Sequence, residues 1–234
     1  MEHKGIGAFK FAFSIVGLLV VTVGQASAGP IVTVPTSLSP GDSYRLAFLT
    51  SGTIDATSGD IDVYNMFVDG FGDPLIVSDW RAIGSTSSVA ARDNTGTNPL
   101  VDGVGVPIYL LNDTLLANDN ADLWAGPIIN PLGFTNDGVL SPGTKVWTGT
   151  RFDGDVGVNS LYLGRAGDWV YLGDSTKSTR AFVNWGERPI MEVYPMYAMS
   201  AVLVVPVPEP GTGVLVALGL LGLARHSPCA GRRK

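Results

Sequence analysis

Two short acidic clusters, one glutamate pair and five tryptophans are the candidate reactive or ligand-holding groups of this chain. Asn118-Asp119-Asn120-Ala121-Asp122 and Asp153-Gly154-Asp155 offer oxygen ligands of the kind calcium gathers, so Asp119, Asp122, Asp153 and Asp155 are the candidate metal ligands. Neither cluster has the EF-hand register, which demands a distal Glu, and Asn and Asp serve equally as turn residues that bond to nearby backbone. Glu187 and Glu192 are the only glutamates between residues 29 and 207. A carboxylate pair is what glycoside hydrolysis needs, without His or Cys. Five residues apart, they would fall on opposite faces of a continuous strand, and Pro189 and Pro195 interrupt it, so surface solvation is the expected role. No catalytic residue is assigned, and the chain is expected not to be an enzyme. Trp80, Trp124, Trp147, Trp169 and Trp185 could stack on sugar rings, although side chains of this size belong mostly in a core, with one or two left exposed.

The absences are as informative. His3, His226 and Cys229 are the only histidines and cysteine of the 234 residues, and all lie near the ends. The segment 29–207 therefore cannot hold a Ser-His-Asp or Cys-His nucleophile system, a His/Cys zinc site or an intrachain disulfide. That segment has nine basic and 19 acidic residues, a net of −10, and its basic residues are isolated. A nucleic-acid face needs a cluster of them, so no nucleic-acid partner is expected. Gly103-Val104-Gly105, followed by Val106-Pro107, does not open a helix and is no phosphate loop.

The scaffold around these residues reads as mostly strands, because Gly and Pro punctuate short β-branched and aromatic runs. The candidates are 44–49, 80–83, 107–116 with a hairpin turn at Asn112-Asp113, 145–150, 168–172, 180–184 and 191–205. One helix interrupts them: Ile61, Tyr64, Phe67 and Val68 recur at helical spacing, with Ser58 or Thr57 as cap and Gly70 and Gly72 as stops. A second short helix is expected over 88–92. The fold class is α+β, a single strand-rich domain with one main helix, with a β-sandwich as the alternative.

Both ends read as addresses. Lys4 and Lys10 precede an apolar run over 11–23, and Ala26-Ser27-Ala28 supplies small residues where a signal peptidase reads them. A signal peptide over 1–28, cut after Ala28, is expected. At the other end, an apolar run over 212–224 follows Pro208-Glu209-Pro210 and leads to Arg225 and finally Arg232-Arg233-Lys234. The prolines keep the tripeptide extended, and the basic end should stay cytoplasmic while the run enters the membrane. The run is short of the roughly 20 residues that span a bilayer unaided.

This C-terminal arrangement resembles the PEP-CTERM sorting signal of exported bacterial proteins. The resemblance implies that Pro208, Glu209 and Pro210 form the recognition site of exosortase, a membrane-embedded cysteine transpeptidase-like enzyme, and that residues 208–234, with Arg232 and Arg233, are a disposable address. His226-Ser227-Pro228-Cys229, inside the basic tail, is an unusual insertion; Cys229 reads as passive, with acylation as the second reading.

The exported piece, 29–207, resembles bacterial domains related to the C-type-lectin and endostatin fold. The matching stretches are Tyr44-Arg45-Leu46-Ala47-Phe48-Leu49, Trp80-Arg81-Ala82-Ile83, Ala90-Ala91-Arg92-Asp93, Ile108-Tyr109-Leu110, Ala121-Asp122-Leu123-Trp124 and Val146-Trp147-Thr148-Gly149-Thr150. The resemblance implies an opening strand, an adjacent helix, a Trp-x-Ala strand, a hairpin and a late Val-Trp-Thr-Gly strand. The fold's common disulfide cysteines and its calcium- and sugar-holding triplets are absent here. The expected function is that of an exported cell-surface or extracellular protein with a structural or adhesive role. A glycan-binding module comes second and a carboxylate hydrolase third. The expected partners are signal peptidase, exosortase, the membrane through 212–224 and extracellular polysaccharide; the expected cofactors are none, calcium being the one open possibility.

Overall fold

The computed structural model describes residues 28–208 apart from Pro142. Nine strands and three α-helices follow in chain order: β1 (Ser43–Leu49), α1 (Ile61–Gly72), β2 (Arg81–Ala82), α2 (Ala91–Asn94), β3 (Ile108–Leu110), β4 (Leu115–Ala117), α3 (Asn120–Ala125), β5 (Lys145–Trp147), β6 (Trp169–Asp174), β7 (Gly186–Pro189), β8 (Tyr197–Met199) and β9 (Leu203–Val204). The domain is strand-rich with few helices, an α+β arrangement.

The strands form two sheets. The larger runs β2-β8-β1-β3-β4, with β9 also paired to β1, and the smaller is β5-β6-β7. β1 is the hub: it lies parallel to β3 and antiparallel to β8 and β9. Its sequence explains the position, because Leu46, Ala47, Phe48 and Leu49 are all buried, and only a central strand hides consecutive side chains on both faces. A parallel neighbour requires a long crossover, and residues 50–107 supply it, carrying α1, β2 and α2. That parallel pair, with α1 laid on β2 and β8, sets the domain apart from an antiparallel sandwich.

Several expected elements are corrected. Asp60, not Ser58 or Thr57, caps α1 by accepting from the Asp62 N–H; Ser58 Oγ instead accepts from the Asp60 N–H. All three residue types can cap, and the one next to the first apolar residue wins. The helix also passes through Gly70 and includes Gly72, where the Trp80 indole lies so close that a Cβ would sit 2.5 Å from it. Residues Arg180–Phe182 form a 3-10 turn capped by Thr179 rather than a strand. The expected strand over 191–205 is two strands, β8 and β9. The expected helix over 88–92 begins later, at Ala91. The turn at Asn112-Asp113 is present between β3 and β4, with Asp113 at φ 67°.

The edge at β2 is closed by side chains. Ala82 donates its N–H to Asn65 Oδ1 (3.0 Å) and its carbonyl accepts from Asn94 Nδ2 (2.8 Å). Two asparagines thus stand where a further strand would pair, which protects the edge from adding another chain.

Arg45 performs a similar task at the start of β1. Its Nη1 donates to the Thr95 carbonyl (2.9 Å) and the Ser200 carbonyl (2.7 Å), and its Nη2 to the Gly96 carbonyl (3.0 Å). One guanidinium therefore ties β1 to the end of α2 and to the β8–β9 connection. Arg45→Met is expected to lower unfolding stability by about 3 kcal/mol, since charge-assisted bonds are lost and carbonyls are left without a donor. Arg45→Lys should recover only part, because an ammonium lacks the planar fork. Urea unfolding of the three proteins checks both statements.

Candidate functional site

The sorting junction is built by β9. Ser43 pairs with Val204 and Tyr44 with Leu203. The last anchors are the Val205 N–H donating to the Asp42 carbonyl (2.9 Å) and the Gly41 N–H donating to the Val205 carbonyl (3.0 Å). Val205 is buried; Pro206, Val207 and Pro208 are exposed. Two of those three residues lack an N–H, so the chain here cannot extend the strand ladder. Pro208 thus lies three residues beyond the folded core, while Glu209, Pro210, Arg232 and Arg233 lie outside the described residues. At the other end, Ala26 also lies outside them. Ala28 is exposed, and the Gly29 N–H donates to the Gly138 carbonyl (2.7 Å), which seats the expected mature terminus on the 134–138 loop.

The acidic clusters serve local structure. Asp119 caps α3 by accepting from the Asp122 N–H (2.8 Å), and Asp122 accepts from the Asn118 N–H (3.1 Å) and amide group. The sequence hid this helix because six residues are too few to display a period. Asp153 pairs with Arg151, and Asp155 accepts from Arg92 Nη2 at 2.8 Å. A cation at either of these last two would face an arginine already in place. Among the described residues, no three His, Cys, Asp or Glu side chains gather around a point where an ion could sit.

Glu187 and Glu192 do not share a strand. β7 ends at Pro189, and the Glu192 N–H returns to the Pro189 carbonyl (3.0 Å) in a turn. β7 itself was not expected, because Pro and charged residues disguise it; on a sheet edge both are tolerated. Both carboxylates are exposed, and Glu192 accepts from the Tyr194 hydroxyl. Burial and the Glu192 charge raise the Tyr194 pKa.

The tryptophans divide as their size suggests. Trp80 and Trp147 are buried completely and Trp124 almost so, whereas Trp169 is 44% and Trp185 43% exposed. On β6, Val170 and Leu172 point inward, so Trp169 and Tyr171 face outward by strand alternation, opposite Pro189 and Glu187 of β7. Apart from these rings, a cleft of about 350 Å³ opens beside the β3–β4 hairpin, lined by uncharged groups such as Asn112, Thr114, Asn130 and Ser141.

A clamp that the sequence did not announce holds the small sheet. Lys145 Nζ lies 2.9 Å from Asp174 Oδ2 and 3.1 Å above the Trp185 ring. Asp174 is buried, which raises its pKa, but hydrogen bonds from the Thr176 hydroxyl, from Lys145 and from the Thr176 N–H outweigh this and bring it to about 2. A carboxyl depressed from 3.8 stabilises the fold above pH 4 and loses that contribution as pH falls toward 2. Asp174→Asn should therefore cost about 2 kcal/mol at neutral pH. The gap from the unsubstituted protein should close between about pH 4 and pH 2, as read by urea midpoints across that range.

Together these features define a folded α+β domain that releases an exposed, proline-flanked tail from its last strand. Residues 206–227 match the PEP-CTERM protein-sorting motif, so the chain carries that sorting signal. The motif supports an exported protein sorted by exosortase to the cell surface or extracellular space. No curated protein matches the chain.

Proposed function

We propose that this protein is a non-catalytic structural or adhesive component of the cell envelope or extracellular matrix. It is exported by its signal peptide, which signal peptidase removes after Ala28, and exosortase then removes its tail. The observation that carries the reading is the sorting motif at 206–227, joined to a domain that ends three residues before Pro208. The order of elements supports a lectin-like domain: opening strand β1, helix α1, the β2 strand after Trp80, the β3–β4 hairpin and the late β5 strand recur in the order that fold implies. The test is the mass and location of the exported protein in cells with and without exosortase activity. A tail-free product only where the enzyme is present supports the reading; the same product in both overturns it.

A second reading, a glycan-binding module, is favoured by Trp169 and Tyr171, which face outward from β6. Aromatic faces set on a rigid strand can stack on pyranose rings at little entropic cost. Retention on a polysaccharide array that disappears in Trp169→Ala, with the melting temperature unchanged, would support it. An array without a hit would remove it.

A further inference from the structure

The largest exposed aliphatic side chains of the domain include three in one loop: Leu100 (86% exposed), Val101 (77%) and Val104 (74%). An isolated exposed aliphatic residue means little, but three in one loop mark a contact surface. The loop is also held in shape. Asn98 Oδ1 accepts from the Leu100 N–H (3.0 Å), the Asn98 carbonyl accepts from the Asp102 N–H (2.7 Å), and Asp102 Oδ2 accepts from the Asn98 N–H (2.8 Å). On its far side the Val104 carbonyl accepts from the Asn120 N–H (2.9 Å), and the Gly103 carbonyl accepts from Asn120 Nδ2 (3.0 Å). The apolar side chains are thus presented by a backbone with little ordering left to do on contact.

The sheet register locates this loop. It leads into β3, whose Ile108 lies beside Arg45 at the start of β1, and β1 receives Val204 beside Ser43. The start of β3, which the loop feeds, and the root of the tail therefore lie at the same end of the large sheet, their strands about 10 Å apart across two strand spacings. Six residues, 206–211, separate the last anchored residue, Val205, from the apolar run over 212–224. Fully extended they reach only about 20 Å.

We infer that, before the tail is removed, Leu100, Val101 and Val104 insert into the outer surface of the bilayer in which the tail is anchored, so that the domain meets the membrane by this end. The inference rests on the reading of 212–224 as a membrane segment. Asp102, Asp119 and Asp122 flank the loop, so the surface suited to it is zwitterionic, because an anionic one would repel these carboxylates. Release of the tail removes the tether, and three aliphatic side chains are a weak hold without it.

The test uses the tail-bearing chain with Cys229→Ser, reconstituted in phosphatidylcholine vesicles and labelled with an environment-sensitive fluorophore at one introduced cysteine. Leu100→Cys and Val104→Cys are the loop positions. Met191→Cys is the control, since it is exposed and precedes β8, whose Tyr197 lies beside Leu49 at the opposite end of β1. Ala217→Cys reports on the tail. Lipids carrying a quencher near the headgroup should quench the two loop labels and not Met191, lipids carrying one along the acyl chain should quench Ala217, and adding anionic lipid should reduce the loop quenching. Quenching at Ala217 with none in the loop overturns the inference and leaves the tail reading standing. An unquenched Ala217 removes the tail reading and the inference with it. Disulfide cross-linking of Leu100→Cys between chains, without lipid quenching, would assign the loop to self-association and overturn the inference as well.

Discussion

Glu209→Ala is expected to leave export intact and to abolish removal of the tail, so that the protein accumulates in the membrane fraction with Arg232-Arg233-Lys234 still attached. The chain leaves the domain at Val205, and the exposed Pro206-Val207-Pro208 carries it outward. Proline locks its own φ and restricts the residue before it. The segment between domain and apolar run is therefore held from joining a helix on one side or the β1 ladder on the other. An enzyme at the membrane surface meets a short, extended, acidic target whose central side chain is its one charged group. Removing that charge should abolish recognition without touching the fold, because none of the contacts described for the domain reach beyond Val207. Pro208→Ala should have the same direction with a smaller effect, since the charge remains and only the backbone restriction is lost. Intact-mass analysis of membrane and released fractions reads both variants, and unaltered mass and amount in the released fraction would show that 208–210 is not the processing site.

Gly173→Ala is expected to prevent stable folding of the domain. Gly173 is in β6, where the 3-10 turn folds back over the outer side of the strand, and an added Cβ would fall 1.8 Å from the Phe182 carbonyl oxygen and 3.2 Å from Val183 Cα. Those neighbours are backbone, and Phe182 and Val183 are buried, so no side chain can rotate aside. Overpacking of this kind against main chain should cost about 4 kcal/mol or more, a large part of the roughly 5–15 kcal/mol that holds an ordinary domain folded. Gly186→Ala on the adjoining strand is the control. A Cβ there meets nothing within 4 Å, and its effect should lie within about 1 kcal/mol, on the stabilising side if the backbone accepts it. Soluble yield and thermal unfolding by circular dichroism distinguish the two. A Gly173→Ala protein that melts with the unsubstituted one would mean that the turn does not pack over β6 as described.

The features legible in the chain without its fold are local or compositional. The sorting signal is contiguous, so Pro208-Glu209-Pro210, the apolar run and the basic end can be read without a fold. The absence of His and Cys from 29–207 excludes whole reaction classes by arithmetic. Tyr44–Leu49 is legible as a strand because its apolar run is bounded by Gly41 and by Ser51-Gly52, and α1 is legible because twelve residues are enough to show a period. Where local signals are ambiguous, packing between distant segments settles the conformation. Asn118 to Asp122 reads as an acidic turn, and the burial of Leu123 and Trp124 makes it the start of a helix. Residues 180–184 have strand composition, but the close approach of Phe182 to Gly173 bends them into a turn. The clamp of Lys145, Asp174 and Trp185 unites residues up to 40 positions apart. The pairing of β9 and β3 with β1 brings the root of the tail to the same end of the large sheet as the loop of Leu100 and Val104. No short window contains either arrangement, because strand pairing is set by burial and hydrogen bonding between distant segments, and those contacts exist only once the chain has closed its long crossovers.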